Sequence, residues 1–200
     1  MSKSTKIIAA LGVIAGLGVA ALPMASYAAN TGDVKVQIEV GSTISMTIDN
    51  TDASTTPVNK TKAMNNNETD SSLTAAIRVT TNSSDGYILE VKDKAGDGAA
   101  LAAETSGNTD SIPAFSTKQT TLSSANAGWG MQAANTNANA TVADAFSGGY
   151  GGVTNSDQTV VTVTGTADND LTTVTYGIAT KSDQVADTYS NIITYTATAQ

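Results

Sequence analysis

The 200-residue chain contains no cysteine and no histidine. Without cysteine there is no disulfide, no thiol nucleophile and no thiolate ligand for a metal. Losing histidine as well removes the Ser-His-Asp and Cys-His arrangements of nucleophilic catalysis, ordinary zinc sites and blue-copper ligation. No glycine-rich loop followed by Lys-Ser or Lys-Thr is present to cradle phosphates. Glutamate occurs only at positions 39, 68, 90 and 104, scattered over polar strand faces and loops, which does not set up the carboxylate pair of a glycosidase. An enzymatic role is therefore not expected. Aromatic residues make up only 4%, and Trp129 is the single tryptophan. Basic residues number 10 against 18 acidic ones, a net charge of -8. That balance argues against nucleic acid or an anionic membrane as partner, since both need basic patches.

What is present begins with an export signature. Lys3 and Lys6 precede the uncharged run Ile7 to Leu22, Pro23 breaks it, and Ser26-Tyr27-Ala28 places small residues before a cut after Ala28. This is the three-part layout of a secretory signal peptide, read as a signal helix over 1–28, and it is the one segment expected to touch a membrane. No cysteine follows the run to make a lipoprotein anchor, there is no twin arginine, and no prepilin-type glutamate follows the cut. Removing 1–28 takes away two lysines and no acid, so the remainder is more acidic still. Residues 29–200 are expected to form one domain.

The rest is rich in Ala, Thr, Ser, Asn and Gly, a composition of strands and turns. "DVKVQIEV" (33–40) alternates Val34, Val36, Ile38 and Val40 with Lys35, Gln37 and Glu39, the strict period of a half-buried strand. Gly41 interrupts it, and Ile44, Met46 and Ile48 resume the pattern. Residues 49–72 read as a long polar loop. "LTAAIRVTT" (73–81), the turn "NSSDG" (82–86) and "YILEVKD" (87–93) read as a hairpin, with Tyr87, Leu89 and Val91 inward. Residues 94–110 read as a loop with a helical turn over 99–104. Weak strands are expected in "SIPAFS" and "TTLSS", a short strand around Trp129, and firm ones in 159–165, 171–180 and 189–199. In the last, Tyr189, Ile193, Tyr195, Ala197 and Ala199 share one parity. The ending carries no sorting motif, so a strand is expected to be built into the domain there. Seven to ten short strands and no convincing amphipathic helix imply an all-β, antiparallel β-sandwich with long polar loops.

A few residues carry weak chemical signals. Asp93, Asp97 and Glu104 occupy positions 1, 5 and 12 of a partial calcium loop whose third position is Ala95, so a calcium site is kept beside the plainer reading of a polar connection. "ADND" (167–170) reads as an acidic turn before a strand. Lys35 and Asn191 suit the topology of a Lys-to-Asn isopeptide cross-link. Lys35 lies on the polar face, however, and burying it would expose four apolar residues at about 1.5 to 3 kcal/mol each. Trp129, between two glycines, is read as a core anchor. Tyr150, in "GGYGG", is read as an exposed loop-tip contact.

The final strand reads Tyr189-x-x-x-Ile193-x-Tyr195-x-Ala197, which resembles the Tyr-x-x-x-Leu-x-Trp-x-Leu ending of the WxL surface-domain family; "WGM" (129–131) resembles that family's Trp-x-Leu. Met131, Tyr195 and Ala197 depart from the pattern, and its acidic-proline ending is missing. The resemblance implies a secreted β-domain that binds the Gram-positive cell wall non-covalently, with Trp129, Met131, Tyr189 and Tyr195 at the motif positions. The layout is also similar to small secreted proteins of reduced-genome bacteria such as Saccharibacteria. The expected partner is a cell-wall polymer or another surface protein, with self-association possible. The alternative is a pilin-like subunit that assembles by adding its strand 33–40 to a neighbour's sheet edge.

Overall fold

The computed structural model describes residues 38, 40–49, 51–52, 58–94 and 99–200. The leader 1–28, Lys35, Asp97 and all of the expected strand 33–40 except Ile38 and Val40 lie outside the described residues. Contacts divide the chain into Met1–Glu39, of which Ile38 alone is described, and Val40–Gln200.

Among the described residues the fold is all-β and the strands pair antiparallel. In chain order the strands are β1 (Ile44–Ile48), β2 (Thr51–Asp52), β3 (Thr69–Thr81), β4 (Tyr87–Asp93), β5 (Leu101–Ala103) and β6 (Ser111–Ile112), then β7 (Gly128–Asn135), β8 (Ala140–Val142), β9 (Gln158–Val163), β10 (Ala167–Ala179), β11 (Tyr189–Ser190) and β12 (Ile193–Ala199). A 3-10 turn at Ser124–Asn126, capped by the Ser123 hydroxyl, precedes β7. Three sheets result, with strand orders β2-β1-β3-β10-β7, β12-β4-β9-β8 and β11-β5-β6.

The segment 73–93 is not a hairpin. β3 lies in the five-stranded sheet and β4 in the four-stranded one, so residues 82–86 form an arch between sheets. β9 and β10 are joined by a second arch, residues 164–166, and the two stack: β3 pairs with β10 while β4 pairs with β9. Gly86 and Gly165 supply the positive φ angles, +92° and +82°, that such tight reversals require. Gly86 also sits so close to the second arch that an added Cβ would lie 1.8 Å from the Val163 carbonyl oxygen. Asn82 extends the stack sideways: its Oδ1 accepts from Thr43 N at 2.6 Å and its Nδ2 donates to Gly41 O at 3.1 Å. The C-terminus closes it from the other flank, where Gln200 N donates to Gly86 O at 2.9 Å.

The period-two pattern places the core as expected. Ala75, Ile77 and Val79 of β3, Leu89 and Val91 of β4, and Val174 of β10 are buried in one cluster that draws on both large sheets. Each such side chain contributes about 1.5 to 3 kcal/mol of burial. A register shift opposite Leu89 and Glu90 makes Val160 an extra residue in β9, so the adjacent Val160 and Val161 are both buried. The Val160 carbonyl accepts from Ala143 N at 2.9 Å.

Several expectations change. β3 begins at Thr69 and β2 lies at 51–52, both inside the stretch read as loop. Residues 101–103 are a strand and not part of a helical turn, because they pair with β6 and β11. "ADND" opens β10, with Asn169 at φ 53° inside a register irregularity. "TTLSS" forms no strand. The run 189–199 divides at Asn191-Ile192: β11 joins the small sheet and β12 the four-stranded one.

Candidate functional site

Four polar constellations stand out from the apolar interior. In the first, Tyr87 is fully buried and its hydroxyl donates to Asp170 Oδ2 at 2.6 Å. Asn135 Nδ2 reaches the same oxygen at 3.2 Å and Thr172 Oγ1 at 2.9 Å. Burial first, then the adjoining carboxylate, push the Tyr87 phenol far above its ordinary range. This group ties β4 to β10 and β7 and satisfies a carboxylate that is 8% exposed.

The second gathers three residues of the WxL-like pattern or its vicinity. Tyr195 of β12 and Tyr176 of β10 bring their hydroxyls to 3.0 Å, and Tyr195 Oη donates to Met131 Sδ at 3.4 Å. Burial pushes the Tyr176 phenol up to about 12, and burial with the neighbouring Tyr176 pushes Tyr195 well above its usual value. Trp129 is 3% exposed and its Nε1 donates to Ala99 O at 2.7 Å, which makes it the core anchor expected. Trp129, Met131 and Tyr195 therefore face the interior, where a wall polymer does not reach them. Tyr189 stands apart from them, its hydroxyl donating to Val185 O at 2.7 Å.

The third is a loop clamp. Asp110 takes the Lys181 ammonium at 2.8 Å, Ser111 N at 3.0 Å, Gln184 Nε2 at 2.9 Å and Val185 N at 3.1 Å. The lysine, then the backbone donors, hold its carboxyl down at about 2. Asp187 does the same for Thr105 and Asn108, which donate to it through Oγ1 at 2.8 Å and Nδ2 at 2.7 Å. The two carboxylates lock segment 181–189 against segment 104–111 and so position the small sheet.

The fourth is open to solvent. Loops 113–119 and 149–152 fold over β7 and β10 because glycines leave room there. Phe115 lies against Gly128 and Gly130, and Tyr150 lies over Gly177, where an added Cβ would come within 2.5 Å of its ring. Tyr150 is not at a loop tip. Its backbone exchanges hydrogen bonds with Gln119, 2.8 Å from Tyr150 N to Gln119 O and 3.0 Å in return. Lys118 Nζ steadies the same region through Asp144 O at 2.6 Å. The half-buried ring borders an open groove of about 510 Å³, whose other walls are Thr69–Ser72 at the start of β3 and Thr120–Leu122. Asp70 within it accepts from Lys62 Nζ at 2.7 Å and from Ser72 N and Oγ at 2.8 Å each. The lysine contact holds that carboxyl below its usual range.

Of the three residues of the expected calcium loop, Asp97 lies outside the described residues. Asp93 is 4% exposed and shares the inward parity of Tyr87, Leu89 and Val91, while Glu104 is exposed beyond β5 with its amide on Thr188 O at 2.9 Å. Among the described residues no group of three or more acidic side chains is placed to hold a metal ion. For the cross-link, Asn191 has its Oδ1 on Ile192 N at 2.6 Å, and its buried Nδ2 has no partner among the described residues. No helix among the described residues is long and apolar enough to cross a membrane.

Comparison with protein-family models, with curated proteins and with solved structures returns no match to this chain.

Proposed function

We propose that the chain is an exported, non-catalytic surface protein whose β-sandwich binds or coats the cell envelope without a covalent link. The leader-type sequence of residues 1–28 and the acidic composition support this reading. The observation that carries it is the Tyr150 groove. An aromatic ring fixed on a glycine seat offers a flat apolar platform, and the surrounding Ser and Thr hydroxyls with Asp70 offer donors and acceptors along it. A pyranose ring has the matching chemistry, with an apolar C–H face and hydroxyls around its edge. A neutral wall polysaccharide suits a chain of net charge -8 better than an anionic polymer does.

The test is co-sedimentation with purified cell walls. Wild-type protein should pellet with the walls and be released by soluble wall glycan. Tyr150→Ala should stay in the supernatant with unchanged circular dichroism. Equal retention of both proteins would refute the groove, and no retention of either would refute envelope binding.

A further inference from the structure

The margins of the two large sheets are treated differently. The outer edge of β7 is covered from 129 to 133: Trp129 N donates to Pro113 O at 2.9 Å, Met131 N to Gly151 O at 2.9 Å and Ala133 N to Phe146 O at 2.9 Å. β2 and β8 are only two and three residues long. β12 is seven residues long and, among the described strands, pairs with β4 alone. Its end bonds, Lys94 N to Ile192 O and Gln200 N to Gly86 O at 2.9 Å each, set the register. Even-numbered residues turn their amides and carbonyls to β4, so those of Ile193, Tyr195, Ala197 and Ala199 point away from it. Among the described residues no backbone group meets them. The strand "ITYTATA" has no charge, no proline and no bulge against β4, which are the usual guards of a sheet edge. Beside it lies β1, whose Ile44, Met46 and Ile48 reach the core cluster but remain partly uncovered.

The same chain carries a segment of complementary form. Residues 33–40 alternate Val34, Val36, Ile38 and Val40 with polar residues, and they are long enough to span the seven residues of β12. The two described members of that apolar set, Ile38 and Val40, are 82% and 78% exposed. Among the described residues, then, β12 keeps an unpaired seven-residue edge, and Ile38 and Val40 are uncovered.

We propose that the open edge of β12 is a self-association site that accepts residues 33–40 of a second copy as an added strand. Main-chain hydrogen bonds supply the affinity, and the alternating Val and Ile side chains cover Ile44, Met46 and Ile193. Donor and acceptor are different surfaces, so the contact is head-to-tail and propagates into chains of subunits. It is independent of envelope binding: Tyr150→Ala moves only retention on walls, and the variants below move only assembly.

The test is analytical ultracentrifugation of the exported protein over a dilution series. Wild type should form a concentration-dependent ladder of oligomers. Ile38→Asp removes the donor face, and Ala197→Pro removes an outward-facing amide without touching the bonds to β4. Each variant alone should stay monomeric with wild-type circular dichroism and melting, and an equimolar mixture of the two should give a heterodimer and nothing larger. Ala197→Lys serves if the proline variant melts early. A wild type that stays monomeric throughout, with the amides of 193–199 protected from hydrogen exchange at every concentration, would overturn the proposal, because the edge would then be closed within one molecule. Oligomers that persist in Ile38→Asp or in both β12 variants would overturn it as well.

Discussion

Alkali is the perturbation to which this core is most exposed. Tyr87 is fully buried against Asp170, and Tyr176 and Tyr195 share a hydroxyl contact of 3.0 Å. All three phenols are pushed up in the folded chain, in each case by burial first, Tyr176 to about 12. In the unfolded chain they ionise near pH 10, about the model-peptide value. The native state therefore keeps protons that the unfolded state releases. Their stabilising share is intact below about pH 10 and is lost as the pH rises toward the folded values. Each tyrosine removes about 1.4 kcal/mol per pH unit in that window, so three remove about 4 kcal/mol per unit. At full slope a single unit already removes a large share of the roughly 5–15 kcal/mol that a domain has in total. Tyrosinate absorbance and far-ultraviolet circular dichroism, followed together through an alkaline titration, should change in one cooperative step between about pH 10 and 12. Tyr87→Phe should make that step shallower by one proton. Ionisation of the buried tyrosines with the β signal unchanged would refute the reasoning, since it would mean their hydroxyls reach water in the native state.

Gly86→Ala should cost about 3 kcal/mol in urea unfolding, because it combines a left-handed backbone position with a clash against Val163, whereas Gly41→Ala, with open space around it, should stay within about 0.5 kcal/mol. Trp129→Phe removes the indole bond to Ala99 O and part of the ring volume, and should lower the unfolding free energy by about 2 to 3 kcal/mol by the same assay. Asp110 is held at about 2, below its unfolded value of about 3.9, so its clamp is complete above that value and is lost as the pH falls toward 2. Limited proteolysis should accordingly open segment 181–189 in acid, or at neutral pH in Asp110→Ala, before the large sheets unfold.

The interior was readable from alternation, and its connections were not. Ile77, Val79, Leu89 and Val91 alternate along strands whose faces differ, so period two placed them correctly. Tyr195 and Trp129 followed from parity and from glycine flanks. "NSSDG" between two such runs satisfies every local requirement of a hairpin turn. It becomes an arch because Gly86 packs on a second arch about 80 residues further along the chain and Asn82 bonds to Gly41 and Thr43, contacts that no local pattern encodes. "ALAAE" favours a helical turn by propensity, and pairing with Ile112 and Tyr189 overrides it. Tyr150 looked like a free tip because glycines surround it. The glycine that decides its place is Gly177, on another strand. The groove beside it brings together 69–72, 120–122 and 150, so its signal lay in the tertiary fold.

The proposal of export and retention at the cell envelope rests on the leader-type sequence of residues 1–28 and on the Tyr150 groove. Intact-mass analysis of surface, wall and cytosolic fractions tests it most directly. The expected result is a wall or surface pool of protein that begins at Ala29. A pool confined to the cytosol with residues 1–28 still attached would contradict it.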